Sequence, residues 1–276
     1  MSLLEVIVLG IIQGLTEFLP ISSTAHLVLI PQFLNWPDPG LSFDIALHVG
    51  TLIAVLIYFF RDWLQILIQG LGMGFGPDPE LRRNRMLLWL LILGTIPAGI
   101  AGLLFQKQAD STLRTPIIIG TSMIVIGIFM WWADRAGRQQ KEMGHVSTGD
   151  AVVIGLAQML SVIPGVSRSG ITISAGMLRN LDRQTAARFS FLLSTPIILG
   201  AALKDAWDLF RHEGGVPHEM QVAFGVGILV SAITGGLTIA FFLNFLRRHG
   251  LAFFVAYRII FGIIVIALAV FRHNGG

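Results

Sequence analysis

The chain has 276 residues, of which 54% are apolar and only 13% charged, with a mean hydropathy of +0.75. A soluble domain carries about a quarter charged residues, so lipid rather than water is the main solvent here. A formal charge of +3 is compatible with a nucleic-acid partner, but the basic residues sit in short connections rather than along one face, which argues against one. With no cysteine, a disulfide framework, a thiolate metal site and a thiol nucleophile are all excluded.

The first basic residue is Arg61, so the apolar start lacks the positive region of a cleavable signal peptide and reads as mature structure. From there the chain alternates short and long apolar pieces. Ser2 to Gly14 and Leu27 to Leu34 are too short to span a bilayer, which takes about 20 residues for about 30 Å of hydrocarbon. Leu41 to Phe60, Met86 to Phe105 and Pro116 to Trp132 are long enough. A second short pair follows, Ala151 to Ile163 and Ile171 to Leu178, and then three more candidate spans: Phe189 to Leu203 with its flanks, Met220 to Leu246 and Ala252 to Phe271. Each short pair is broken by a proline and a cluster of hydroxyl residues, the pattern of a re-entrant hairpin.

Counting Lys and Arg in the connections gives the orientation. If neither hairpin crosses, twelve fall on one face, five on the other, and Arg168 and Arg258 lie inside apolar segments, which accounts for all nineteen. The twelve-residue face is then cytoplasmic, both termini lie outside, and the hairpins open from opposite faces. The halves, 1–140 and 150–276, also match at an offset of 145: Gly10, Gln13 and Ser22 against Gly155, Gln158 and Ser167. The expected architecture is a single all-α integral membrane domain, residues 1–276, with six transmembrane helices and two re-entrant helical hairpins arranged as an inverted-topology repeat.

The first hydroxyl-rich string runs from Gln13 to His26. On a helix Gln13 and Glu17 share one face, so their oxygens suit a divalent cation or a proton-relay water. Pro20 ends that helix, and Ser22, Ser23 or Thr24 can cap the next, exposing backbone N–H groups where an anion is favoured. If the next segment is helical, His26 sits one turn from Ser22 and Ser23, and a hydroxyl beside an imidazole is the arrangement of an activated nucleophile. Capping alone accounts for the hydroxyls, but not for Glu17. An ionisable residue between apolar segments costs about 2.5 to 3.5 kcal/mol on insertion scales.

The second string, Pro164 to Thr172, places Arg168 between glycines and hydroxyls. Its planar donor fork suits a phosphate, with Ser167, Ser169 and Thr172 as further donors. At membrane depth it needs an anionic partner, either a phosphate or Glu17 across the repeat interface, and the second can hold the site until the first replaces it. Asp44 and His48 near the end of the first span read as interfacial solvation, and Arg258 with Tyr257 as a snorkelling pair.

These strings resemble those of the undecaprenyl-diphosphate phosphatase family of bacterial membranes, also called the bacitracin-resistance phosphatases. Gln13-x-x-x-Glu17 is similar to that family's Glu/Gln-x-x-x-Glu motif, Ser22-Ser23-Thr24-x-His26 to its adjoining string, and Pro164-Gly165-x-Ser167-Arg168-Ser169-x-x-Thr172 to its second motif. The resemblance covers essentially the whole chain. It implies hydrolysis of a polyprenyl diphosphate, undecaprenyl diphosphate, to the monophosphate carrier and inorganic phosphate. It further implies a divalent cation (Mg2+ or Ca2+), an outward-facing site in the bacterial plasma membrane, carrier recycling for peptidoglycan, resistance to bacitracin, and a homodimer. Glu17, Ser23, His26, Ser167, Arg168 and Thr172 are the functional residues it carries over, with Gln13 beside Glu17 on the cation. Whether Ser23, His26 or a water attacks phosphorus is open, with Ser23 attacking and His26 as base the favoured order. A lipid carrier or flippase built on the same inverted repeat is the competing class.

Overall fold

The computed structural model describes residues 1–37, 40–74, 76–212 and 218–274. The described chain is helical, and its β-structure is one isolated bridge between Lys141 and Leu181. α1 (Leu3–Phe18) starts on a reciprocal cap in which Ser2 and Glu5 each accept from the other's backbone N–H, and it stops two residues before Pro20. α2 (Ser23–Leu34) follows the break, then α3 (Leu41–Tyr58) and α4 (Phe60–Gly70), bent by 75° from one another. After the short α5 (Pro79–Arg83) come α6 (Leu87–Asp110) and α7 (Pro116–Ala136).

The second half repeats the order. α8 (Thr148–Met159) begins on a second reciprocal cap, Ser147 with Asp150, and runs through a single 3-10 turn (Leu160–Val162) to a break at Pro164. α9 (Arg168–Leu178), α10 (Arg183–His212), α11 (Gln221–Leu246) and α12 (Ala252–Asn274) complete the chain. Five helices, α6, α7, α10, α11 and α12, are long and apolar enough to cross a membrane, and the bent α3–α4 pair makes a sixth candidate. The chain is therefore an all-α, multi-pass integral membrane protein. α4 was not expected as a separate helix. Its stretch carries Arg61 and Asp62, and Asp62 accepts Arg188 at 2.7 Å, which keeps the segment at the polar end of the bundle.

Partnerships cross between the halves. α1 packs on α11 and α8 on α6, while α3 packs on α11 and α10 on α6. Close approach at the α8–α6 contact depends on glycine: a Cβ at Gly155 would lie 2.5 Å from the Gly94 carbonyl oxygen. α7 and α12 run antiparallel, since Gly120 faces Gly262 and Ile266 while Gly127 faces Val255 and Ile259. The main core joins Phe18 at the end of α1 to Phe191 on α10 and Phe242 on α11, directly behind the first break. Leu3, Leu4, Ile11 and Leu15 stay exposed on α1, as expected of a helix with one face to lipid.

Candidate active site at the two helix breaks

The two breaks are built alike. Ser22 caps α2 at φ 75° and Ser167 caps α9 at φ 71°, and each side chain accepts from the N–H three residues on, Ala25 and Gly170. A non-glycine residue held there costs on the order of 1–3 kcal/mol, so the surroundings must enforce it. Gly165, at φ 91°, provides the turn before Ser167 and lies so close to α7 that a Cβ would stand 2.5 Å from the Ile119 carbonyl oxygen. Ser169 Oγ ties the tips together by donating to the Leu19 carbonyl at 3.1 Å.

A cavity of about 250 Å³ opens between the tips. Glu17, Ser22, Ser23 and Thr24 line it from the first break and Ser167 and Arg168 from the second, with His48 of α3 alongside. Arg168 Nη2 donates to Glu17 Oε1 at 2.9 Å, and its Nη1 to the Ser190 carbonyl at 3.1 Å. Glu17 Oε2 accepts from Ser23 Oγ at 2.7 Å and from Gln13 Nε2 at 3.1 Å, and lies 3.5 Å from His48 Nε2. The N-termini of α2 and α9 both end at this cavity, so their free N–H groups add to the attraction for an anion.

Gln13, His26, Ser169 and Thr172 stand one layer back from the cavity. Thr172 Oγ1 donates to the Arg168 carbonyl at 2.7 Å and lies 2.6 Å from Ser190 Oγ. His26 does not meet Ser23. Its Nδ1 lies 2.7 Å from the Ser22 carbonyl, which can only accept, so Nδ1 carries the proton and Nε2 of the neutral ring accepts from Tyr257 O–H at 2.6 Å. The ring is clamped flat against Phe261. The hydroxyl–imidazole pair expected between Ser23 and His26 is thus not formed, because both ring nitrogens are occupied and Ser23 turns to Glu17 instead.

Residues outside the strings take part as well, Ser190 among them. His48, expected at an interface, reaches Glu17, and Asp44 pairs with Arg114 at 3.2 Å. Tyr257 holds His26, and Arg258, expected to snorkel, is fully buried. An ionisable side chain within an apolar run was the signal that singled out Glu17, and it marked His48 and Arg258 equally.

Gln13 and Glu17 offer the oxygen chemistry of a hard divalent cation, although Gln13 turns Nε2 toward Glu17 at 3.1 Å and its amide must rotate for both oxygens to face one ion. Gln13 Oε1 is a buried acceptor without a hydrogen-bond partner, next to a carboxylate. Among the described residues no three His, Asp or Glu side chains gather to hold a metal. One carboxylate and one amide oxygen leave most of a cation's shell to phosphate and water, as is usual for Mg2+.

Fold and site together define a membrane-embedded anion-handling protein of the phosphoryl-transfer type, with acid, hydroxyl and guanidinium brought into one cavity by two broken helices. The chain belongs to the family described as bacitracin resistance protein BacA, whose model matches residues 6–264. It is 47% identical over 268 residues to an undecaprenyl-diphosphatase of Moorella thermoacetica, covering 97% of this chain and 98% of that one. Similar proteins of the same description come from Pelotomaculum thermopropionicum, 45% identical with 100% of each chain covered, and Desulforudis audaxviator, 46% identical with 99% of this chain and 100% of that one covered.

Proposed function

We propose that this chain is an integral membrane phosphatase that hydrolyses undecaprenyl diphosphate to undecaprenyl phosphate and inorganic phosphate. The observation that carries the reading is the cavity in which Ser23 donates to Glu17 while Glu17 pairs with Arg168. A terminal phosphate entering this cavity takes over the Arg168 fork and frees the Glu17 carboxylate to receive a proton. Ser23 Oγ then attacks the terminal phosphorus, its proton passing to Glu17. The bond from that phosphorus to the bridging oxygen breaks, and the lipid monophosphate leaves, its freed oxygen taking the proton from Glu17. Water then attacks the phosphoserine, Glu17 taking its proton and returning it to Ser23 Oγ as the P–Oγ bond breaks, which gives inorganic phosphate and restores Ser23. Ser22, Thr24 and Ser167 supply hydroxyl groups around the phosphates, and His26 holds the Ser22 carbonyl that shapes the first tip. A divalent cation, Mg2+ or Ca2+, held by Glu17 and Gln13 would supply charge neutralisation on the diphosphate.

A lipid substrate is supported by a second, mainly apolar cavity of about 530 Å³ that shares Ile45, Ser161, Ile197 and Ala201 with the first and continues along Gly99, Gly102 and Leu103 of α6. This is the path for the polyprenyl chain. Ile45 lies near the start of α3, and Ala201 and Ala202 line the phosphate cavity from α10 close to Lys204. That end of the bundle carries the five-residue share of Lys and Arg, so by the positive-inside rule the site faces outward and both termini lie outside. The exchanged pairings of α1 with α11 and α8 with α6 support an inverted repeat. Gly227 and Gly235 of α11 are taken up by contacts within the chain, to Leu47 and Phe43 and to Phe18 and Ala54, so a homodimer rests on the family resemblance.

Proteoliposomes carrying a polyprenyl diphosphate test the reading against that of a carrier. Phosphate release that disappears in Glu17→Ala and Arg168→Ala is expected. Lipid movement between leaflets without phosphate release is the carrier outcome and contradicts it.

A further inference from the structure

Arg258 on α12 heads the fully buried side chains by size, at 0% exposed, yet no carboxylate pairs with it among the described residues. Its partners are backbone carbonyls. Nη1 donates to Pro20 at 3.2 Å, Nη2 to Gly165 at 2.7 Å and Val166 at 3.1 Å, and Nε to Met123 at 3.1 Å. Pro20 lies just before the Ser22 break, and Gly165 and Val166 immediately precede the Ser167 break. One guanidinium therefore reaches both tips while also holding α7.

The chemistry explains the choice of residue. Breaking a helix strips carbonyls of their N–H partners, and at this depth little water is present to replace them. A planar fork with five donors satisfies several carbonyls at fixed angles, which a point ammonium cannot do. The tips it joins carry the two halves of the site: Glu17 and Ser23 flank the first, and Arg168 follows the second. A shift of about 1 Å between them is enough to cost about a hundredfold in rate.

We propose that Arg258 is a positioning residue of the phosphate site, a tie from α12 to the carbonyls of both helix breaks that holds Glu17 and Ser23 opposite Arg168. The inference rests on the phosphatase reading for its rate effect, but not for its structural effect. Pro20 and Gly165 lie in different halves, so loss of the tie loosens both tips together.

Arg258→Lys is the test, because it keeps the charge and most of the volume but cannot span both tips. Steady-state phosphate release and backbone amide exchange are measured on the same monodisperse preparation. The expected result is a kcat about a hundredfold lower with KM within about threefold of wild type. Exchange should rise about tenfold in both Ser22–His26 and Ser167–Ile171, with the centre of α11 unchanged. In Arg258→Ala, methylguanidinium should recover part of the lost kcat. If Arg258→Lys does not fold, Gly127→Val carries the same measurements, since a Cβ at Gly127 already lies 3.4 Å from the Arg258 Cβ. Unchanged exchange at the tips, or a rise at one tip only, overturns the proposal, as does a kcat close to wild type. A wild type that releases no phosphate defeats the phosphatase reading instead, and the exchange data still decide whether Arg258 is a tie.

Discussion

Arg168 and Glu17 are 151 residues apart in the chain and 2.9 Å apart in the fold, and they form an ion pair between the two helix breaks, with Glu17 buried and Arg168 largely so at the cavity wall. Neither charge is stable alone at this depth, so each half of the molecule completes the other. The pair also holds the site ready for substrate: a phosphate presents Arg168 with a better-matched anion and releases the carboxylate.

Breaking this pair from one side leaves an uncompensated buried charge. Glu17→Gln and Arg168→Met are each expected to lose about 3–5 kcal/mol of stability, and the double variant less than the sum of the two. Thermal unfolding in detergent across the four proteins of the cycle checks this, and additive losses would show that the charges are not coupled.

Glu17→Gln should also cut phosphate release by about 10²–10⁴-fold, because it removes the acceptor for the Ser23 proton. The loss should fall on kcat more than on KM. A variant retaining near wild-type kcat would exclude Glu17 as the base.

Ser23→Ala is expected to abolish any trapped phosphoenzyme, whereas His26→Ala leaves the nucleophile in place and acts through the shape of the first tip. Rapid acid quench followed by peptide mass spectrometry locates the phosphoryl group. Finding it on His26 would reverse the assignment, and the bonds that His26 donates to the Ser22 carbonyl and accepts from the Tyr257 hydroxyl argue against that outcome.

Much of this was legible in the sequence for a physical reason. Charged residues inside apolar runs, and hydroxyls clustered beside prolines, are costly in lipid unless they do something, so Glu17, Arg168 and both tips stood out. The positions of the helices followed from apolar length. What was not legible is direction: His26 lies one turn from Ser23, but its ring turns to Tyr257, 231 residues away. Arg258 lies close enough to a helix end to snorkel, and only the carbonyls freed by two distant breaks pull it inward. The bend after Tyr58 depends on α4 meeting Arg188 from α10, a contact no local pattern reports.

Packing gives a prediction independent of chemistry. Gly155→Leu should force α8 off α6, since even a Cβ would collide with the Gly94 carbonyl, at a cost of about 1–3 kcal/mol in thermal stability. Gly225→Ala, where a Cβ meets open space, should be neutral and serves as the control.

Asp78, in the connection before α5, supplies a pH signature. Burial raises its pKa, but hydrogen bonds from Arg188 and from the Leu81 and Glu80 amides outweigh burial and leave it below the ordinary 3.8. A depressed folded pKa means that the unfolded chain binds the proton first, so its stabilisation is complete above about pH 4 and lost as pH falls through the folded value. Wild type should therefore lose more stability on acidification below about pH 4 than Asp78→Asn, as read by unfolding midpoints at stepped pH.

The central claim is chemical, and inorganic phosphate release from undecaprenyl diphosphate by the purified protein, with and without EDTA, tests it most directly. The account predicts one phosphate and one lipid monophosphate per substrate, lost on chelation and restored by Mg2+ or Ca2+. Substrate left intact under every metal condition would contradict it.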